Sequence, residues 1–188
     1  MLETIKRTFL DADTAVFRFI NTNLHNDIAA AVMKFTANDV FLSVVVFAGL
    51  FFIVKSGGTK EKTNIAFSLW ALIAADIIST FLLKPLFKRP RPFAVLPGVN
   101  FLVFMRKYGW SFPSTHTAMA AALATVLWDD YKDLRWIMAL FVLFVGFFCV
   151  YTGAHYPSDV AAGLILGIII GSLFNLLKKT MLSRKYKV

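Results

Sequence analysis

A chain of 188 residues that is 58% hydrophobic, carries 20 phenylalanines and is only 16% charged has more apolar surface than one water-soluble domain of that length can bury. That balance excludes an ordinary soluble enzyme and makes the bilayer the expected solvent. The formal charge of +9 must then sit in loops and ends, where it meets anionic headgroups or phosphate substrates; nucleic acid is a poor second candidate.

The chain opens with MLETIKRTFLDAD, which has neither the short apolar core nor the small-residue cleavage site of a secretory signal, so insertion is expected to use internal spans. Across residues 1–36, Asp11, Asp13, Arg18, His25, Asp27 and Lys34 interrupt VFRFI and IAAAVMKF at helical spacing. This is the pattern of amphipathic interfacial helices, with a sixth span as the alternative. A helix needs about 20 residues to cross about 30 Å of hydrocarbon. Apolar runs follow at about 40–55 (short), 64–83, 114–128 (extended at either end), 135–154 and 158–177. The predicted fold is an all-α polytopic transmembrane bundle of five to six spans. It forms one membrane-embedded domain over residues 1–188, with an amphipathic segment at 1–36 and a basic extramembrane loop at 85–112.

That loop holds Pro85, Pro90, Pro92 and Pro97, five basic residues and no acid, yet also Phe87, Phe93, Phe101, Phe104, Tyr108 and Trp110. It reads as an ordered, membrane-hugging segment rather than a linker. Alternating the spans places residues 84–113 and 155–157 on one membrane face. The other face receives Lys55, Lys60, Lys62, Lys132, Arg135, Lys178, Lys179, Arg184, Lys185 and Lys187, half of the 20 basic residues, and is expected to be cytoplasmic. The first face would then be periplasmic or extracellular, in a bacterial inner membrane. Asp76 lies mid-span, where an ionisable group is expensive and faces the bundle interior, as a hydrogen-bonded structural residue or a functional one. About 12 Å of helix rise separates it from Lys84, too far for a shared phosphate. Gly163, Gly167 and Gly171 form a small-residue stripe suited to helix packing, within the bundle rather than between chains. The single cysteine, Cys149, excludes an intrachain disulfide and reads as a small apolar packing residue.

Three short segments converge on the first face: KPLFKRPRP from Lys84, PSTH from Pro113, and HYPSD from His155. Ser114 behind Pro113 reads as an N-cap, leaving the N–H groups of Thr115 and His116 at a positive helix end suited to an anion. Lys84 and Arg91 add fixed charge and a planar fork that fits phosphoryl oxygens. Asp159, four residues after His155, is spaced to orient one ring nitrogen and leave the other free to attack, while His116 supplies a second imidazole for proton transfer. Each feature taken alone has a plainer reading, as headgroup contact, N-cap or dipole-favoured acid. The conjunction of two of the three histidines with the basic loop on one face is what points to chemistry.

At these residues the chain resembles the type 2 phosphatidic acid phosphatase superfamily, whose signatures are K-x6-RP, PSxH and SR-x5-H-x3-D. Lys84 to Pro92 matches the first, Pro113 to His116 the second, and His155 with Asp159 the third. The resemblance implies a lipid phosphate or diphosphate phosphatase that works without metal or other cofactor and takes its substrate from the bilayer. It implies His155 as nucleophile, Asp159 as its orienting acid and His116 as proton donor to the leaving oxygen, with Lys84, Arg91, Ser114 and Thr115 binding phosphate. Candidate substrates are undecaprenyl diphosphate, phosphatidylglycerol phosphate, lipid A phosphate and phosphatidic acid. One position departs: the Arg of the third signature falls on Cys149, preceded by Phe148. Arg89, Lys88 or Arg106 would have to fill that gap, or the chain is a weakly active or non-catalytic lipid-phosphate binder. A lipid-to-lipid phosphotransferase is the remaining alternative.

Overall fold

The computed structural model describes residues 1–36, 58–102 and 109–185. Among these residues every regular element is helical. In chain order they are α1 (Leu2–Arg18), α2 (Asp27–Thr36), α3 (Thr59–Ile77), α4 (Lys84–Phe87), α5 (Pro92–Val95), α6 (Thr115–Leu127), α7 (Arg135–Tyr151) and α8 (Pro157–Lys185). Wide π-helical turns carry α1 on to Asn23 and α3 on to Leu83.

Among the described residues three stretches are long and apolar enough to cross a membrane: Thr59–Val95, Lys132–Tyr151 and Pro157–Ser183. The run expected to span at 114–128 is instead a helix of 13 residues, about 20 Å long. Ser114 caps its start, and Trp128, Asp129 and Asp130 stop it. It is too short to cross alone. The expected span at 40–55 lies outside the described residues.

The core is made of small side chains, because close helix approach rather than bulk holds these elements together. Ala71 and Ala75 of α3 meet Ala118, Ala122 and Val126 of α6 and Ile170 of α8, all buried. The glycine stripe of α8 faces α6. A Cβ at Gly163 would run into the Ser114 carbonyl oxygen, and one at Gly167 into that of Ala118. The stripe therefore packs within the bundle and brings the N-terminal turns of α6 and α8 together.

The N-terminal segment departs from a simple interfacial helix. Ile5, Phe9 and Val16 are exposed, as an interfacial face requires, but Asp13, Phe17 and Asn21 are buried at successive four-residue steps. Phe17 packs on Tyr156 with ring centroids 5.6 Å apart. The Asn21 amide donates to the carbonyls of Tyr151 (2.7 Å) and Asn100 (2.9 Å). The segment is thus seated on the end of the bundle where α6 and α8 begin.

Candidate active site

Two helix starts build the site. Ser114 is the N-cap of α6, its hydroxyl accepting from the Thr117 N–H, and its own N–H donates to the Asp159 carbonyl at 2.9 Å. Pro157 opens α8 with a preset backbone angle, and Asp159 reaches back to accept the Tyr156 N–H at 2.9 Å, closing one half of a capping box. Asp159 is therefore both the first-turn acid of the plainer reading and a neighbour of His155. Gly153, in the left-handed region at φ 80°, ends α7 and turns the chain into the buried Ala154–His155 step.

The His155 imidazole is almost wholly buried, at 1% exposure. Its Nε2 lies 3.3 Å from Arg91 Nη1, and its Nδ1 lies 3.6 Å from Asp159 Oδ2. A guanidinium can only donate, so Nε2 must accept, which places the ring proton on Nδ1, towards the carboxylate. The Nδ1 contact is longer than a hydrogen bond, and this atom has no other partner among the described residues. Burial pulls the imidazole from its ordinary 6.5 down to about 4; Asp159 opposes that fall, while Arg91 and Lys84 add to it. At neutral pH the ring is a neutral base with its lone pair on Nε2.

Arg91 is itself buried and donates to the Ala154 carbonyl at 3.2 Å. Lys84, at the start of α4, is partly buried and lies within the field of Arg91, Asp159 and Asp76. Thr115 is buried with its hydroxyl oxygen unpartnered among the described residues, and His116, next in α6, is exposed. Of the predicted site residues, the structure thus brings His155, Asp159, Arg91 and Ser114 together directly, with Lys84 close enough to act through its charge and Thr115 and His116 on the adjoining helix start. Asp76 accepts from Thr80 at 3.1 Å.

Cys149 is buried with its sulfur 3.6 Å from Ser114 Oγ, so a thiol stands beside the capping hydroxyl where the signature has an arginine. Arg89 does not fill that gap. Its guanidinium donates to Asp159 Oδ1 (2.7 Å), Ser158 Oγ (2.6 Å) and Asp13 Oδ2 (2.6 Å), and lies 3.9 Å over the Tyr156 ring. Lys88, left-handed at φ 46°, points to solvent, and Arg106 lies outside the described residues. Asp13 and Ser158 are the site neighbours that motif reading missed. The available signal was the four-residue spacing of Asp13, Phe17 and Asn21, which marks one helix face. Beside this network an open groove of about 800 Å³ runs between α1 and α8, lined by Phe9, Val16, Phe112 and Ile165 as well as Asp13 and Arg89.

The model of the PAP2 superfamily matches residues 64–181. The chain is 30% identical to the undecaprenyl-diphosphatase BcrC of Bacillus subtilis, over 80% of this chain and 75% of the relative. It is 27% identical to the bacitracin transport permease protein BcrC of Bacillus licheniformis, over 86% and 78%. The crystal structure of Aquifex aeolicus LpxE superposes with a TM-score of 0.67 at 32% identity, covering 86% of this chain and 93% of that one.

Proposed function

The chain belongs to the PAP2 superfamily, and from that premise we propose that it is an integral membrane lipid phosphatase, hydrolysing a phosphomonoester or diphosphate on a lipid headgroup through a phosphohistidine intermediate. The observation that carries the reading is the buried His155, its Nε2 lone pair facing Arg91 and its Nδ1 proton facing Asp159. In this reading the phosphoryl group enters between Arg91 and His155. Arg91 turns its donors to the phosphoryl oxygens, and Nε2 attacks phosphorus as the bond to the lipid oxygen breaks. Asp159 stabilises the imidazolium that forms, and His116 protonates the departing oxygen, then activates the water that releases phosphate. Lys84, Ser114 and the α6 N-terminus with Thr115 hold the remaining oxygens; the unpartnered Thr115 hydroxyl supports a ligand there.

The whole chain acts as one membrane-embedded domain. The site faces the periplasm or exterior of a bacterial inner membrane, opposite the lysine-rich end. The relative from Bacillus subtilis acts on undecaprenyl diphosphate by its name, which puts a polyprenyl diphosphate first among the substrates to try. Cys149 favours a second reading, a lipid-phosphate binder of low turnover, since losing a charge-assisted contact to a transition state costs on the order of 3 kcal/mol, about a hundredfold.

Release of inorganic phosphate from polyprenyl diphosphate, phosphatidylglycerol phosphate, lipid A and phosphatidic acid separates these readings. Turnover by the parent, unaffected by EDTA and lost in His155→Ala, is the expected result. Turnover only in Cys149→Arg would support the binder. Acceptor-dependent transfer without free phosphate would identify a phosphotransferase, and restoration by a divalent ion after chelation would overturn the metal-free chemistry.

A further inference from the structure

The family match leaves out α1, yet α1 brings a carboxylate to the site. The Asp13 side chain is 3% exposed and takes three hydrogen bonds: from Arg89 Nη2 at 2.6 Å, from the Ser158 N–H at 2.9 Å and from the Ser158 hydroxyl at 2.5 Å. We infer that Asp13, acting through Arg89 and Ser158, is a positioning residue for the Asp159–His155 pair, so that the N-terminal helix is part of the reaction machinery. The inference rests on the reading of His155 as the reacting group.

The geometry of Asp159 carries it. One carboxylate oxygen, Oδ1, is taken by Arg89, and only Oδ2 remains for the Tyr156 N–H and the His155 ring. The arginine therefore decides which oxygen faces the imidazole and at what angle. Arg89 is a long side chain that follows a left-handed turn at Lys88 and lies between α4 and α5, outside any helix that could hold it. Asp13, Ser158 and the Tyr156 ring supply that hold. Asp13 also grips the Ser158 backbone, which lies in the turn that carries Asp159. The register of Asp13 is fixed in turn by Phe17 and Asn21, one and two turns along the same face and both fully buried.

Charge gives the second argument. Asp13 and Asp159 are two buried carboxylates sharing one guanidinium. The cluster has one excess negative charge, which favours the imidazolium that phosphoryl transfer would create. Removing Asp13 concentrates Arg89 on Asp159 and weakens the field at His155. Removing Arg89 releases that field.

The test uses the full chain in lipid nanodiscs, with Asp13→Asn, Asp13→Glu and Arg89→Gln. Two quantities are read: kcat and KM on the lipid phosphate that the parent turns over, and the titration of His155 by NMR of ring-labelled histidine. The chain has only three histidines, and His155→Ala assigns the signal. The other groups around the imidazole, Asp159 of α8, Arg91, Lys84 of α4 and Cys149 of α7, are the same in all variants. Asp13→Asn is expected to lower kcat by roughly tenfold or more with KM within about twofold, and Asp13→Glu to recover part of the loss. The His155 midpoint should move down in Asp13→Asn and up in Arg89→Gln. Parent-like kcat and titration in Asp13→Asn would overturn the inference, as would midpoints that shift the same way in both variants. If the parent itself releases no phosphate, the lipid phosphatase reading fails, and the opposed shifts of the His155 titration still decide the role of Asp13.

Discussion

At the end of the bundle away from His155, the buried ammonium of Lys178 gives its protons to Asn64 Oδ1, the Val126 carbonyl and Asp130, at 3.0, 2.9 and 2.6 Å. Around it Asp129 accepts from Asn175 and Lys179. At the other end, Arg91 spends a donor on a neutral imidazole, His155 Nδ1 has only the long 3.6 Å contact to Asp159, and the Thr115 hydroxyl has no partner among the described residues. Both ends combine buried cations with carboxylates at the mouths of α6 and α8. At the lysine end the buried ammonium has three acceptors, although Asn175 Oδ1 is left without one among the described residues, and it ties three elements together. The histidine end holds a neutral base against a guanidinium and leaves the Thr115 hydroxyl without a partner among the described residues, which costs stability there. A buried cation is thus a lock where carboxylates and carbonyls surround it, and a candidate functional group where it faces a neutral base.

The sharpest way to break this contrast is His155→Ala. Turnover should fall by about a thousandfold or more, some 4 kcal/mol of barrier, while the variant still inserts and melts cooperatively. An equal loss of activity and thermal stability would mean that His155 is a lock like Lys178.

Acid should reveal the same difference as a stability effect. The folded pKa of His155, about 4, lies below the ordinary 6.5 of an exposed histidine, so between those values the unfolded chain takes up a proton that the folded chain refuses. Stability contributed by the neutral ring is therefore lost as pH falls from about 6.5 towards 4, by at most roughly 3 kcal/mol. Melting curves across that window should show a steeper decline for the parent than for His155→Ala. The acid limb of kcat/KM should likewise sit well below pH 6.5.

Lys178→Met removes the lock. Asp130 is partly solvated, so the loss is expected near 2 kcal/mol rather than the larger figure for a fully buried pair, and it should appear as a lower melting temperature in detergent with kcat/KM unchanged. Smallest of all is Lys179→Gln. Its partner Asp129 is half exposed, and the pair should contribute less than about 0.5 kcal/mol. A large effect there would show that the whole rim, not Lys178 alone, holds that end.

Much of the candidate site was legible because its residues sit at fixed short spacings. His155 and Asp159 are one helical turn apart, Ser114 announces a helix start, and Lys84 and Arg91 flank the same turn, so local geometry brings each set close before any packing is known. The resemblance to the PAP2 superfamily rests on those spacings. Hydropathy likewise located three of the expected runs as membrane-length helices. It overestimated the run at 114–128, since apolarity measures what a segment tolerates around it and not where its caps stop it. In the sequence Arg89 reads only as a substitute for the missing arginine, because one sequence shows a charge without its partners. Asp13 passed for a polar interruption of an amphipathic helix.

What the sequence determined by itself is the solvent of this protein, most of its described helices and which residues are candidates for the site, all set by composition and by contacts within a few residues. Only the tertiary structure decided that Gly163 and Gly167 press α8 on α6, that Arg89 is committed to Asp13 and Asp159, and that Lys178 is a lock. Those outcomes depend on pairs separated by 45 to 145 positions, such as Gly167 with Ala122 at the near end of that range, Lys178 with Asp130 and Asp13 with Ser158 at the far end. The free energy of a buried charge is set by which partners packing brings within about 3 Å, and no local pattern encodes that.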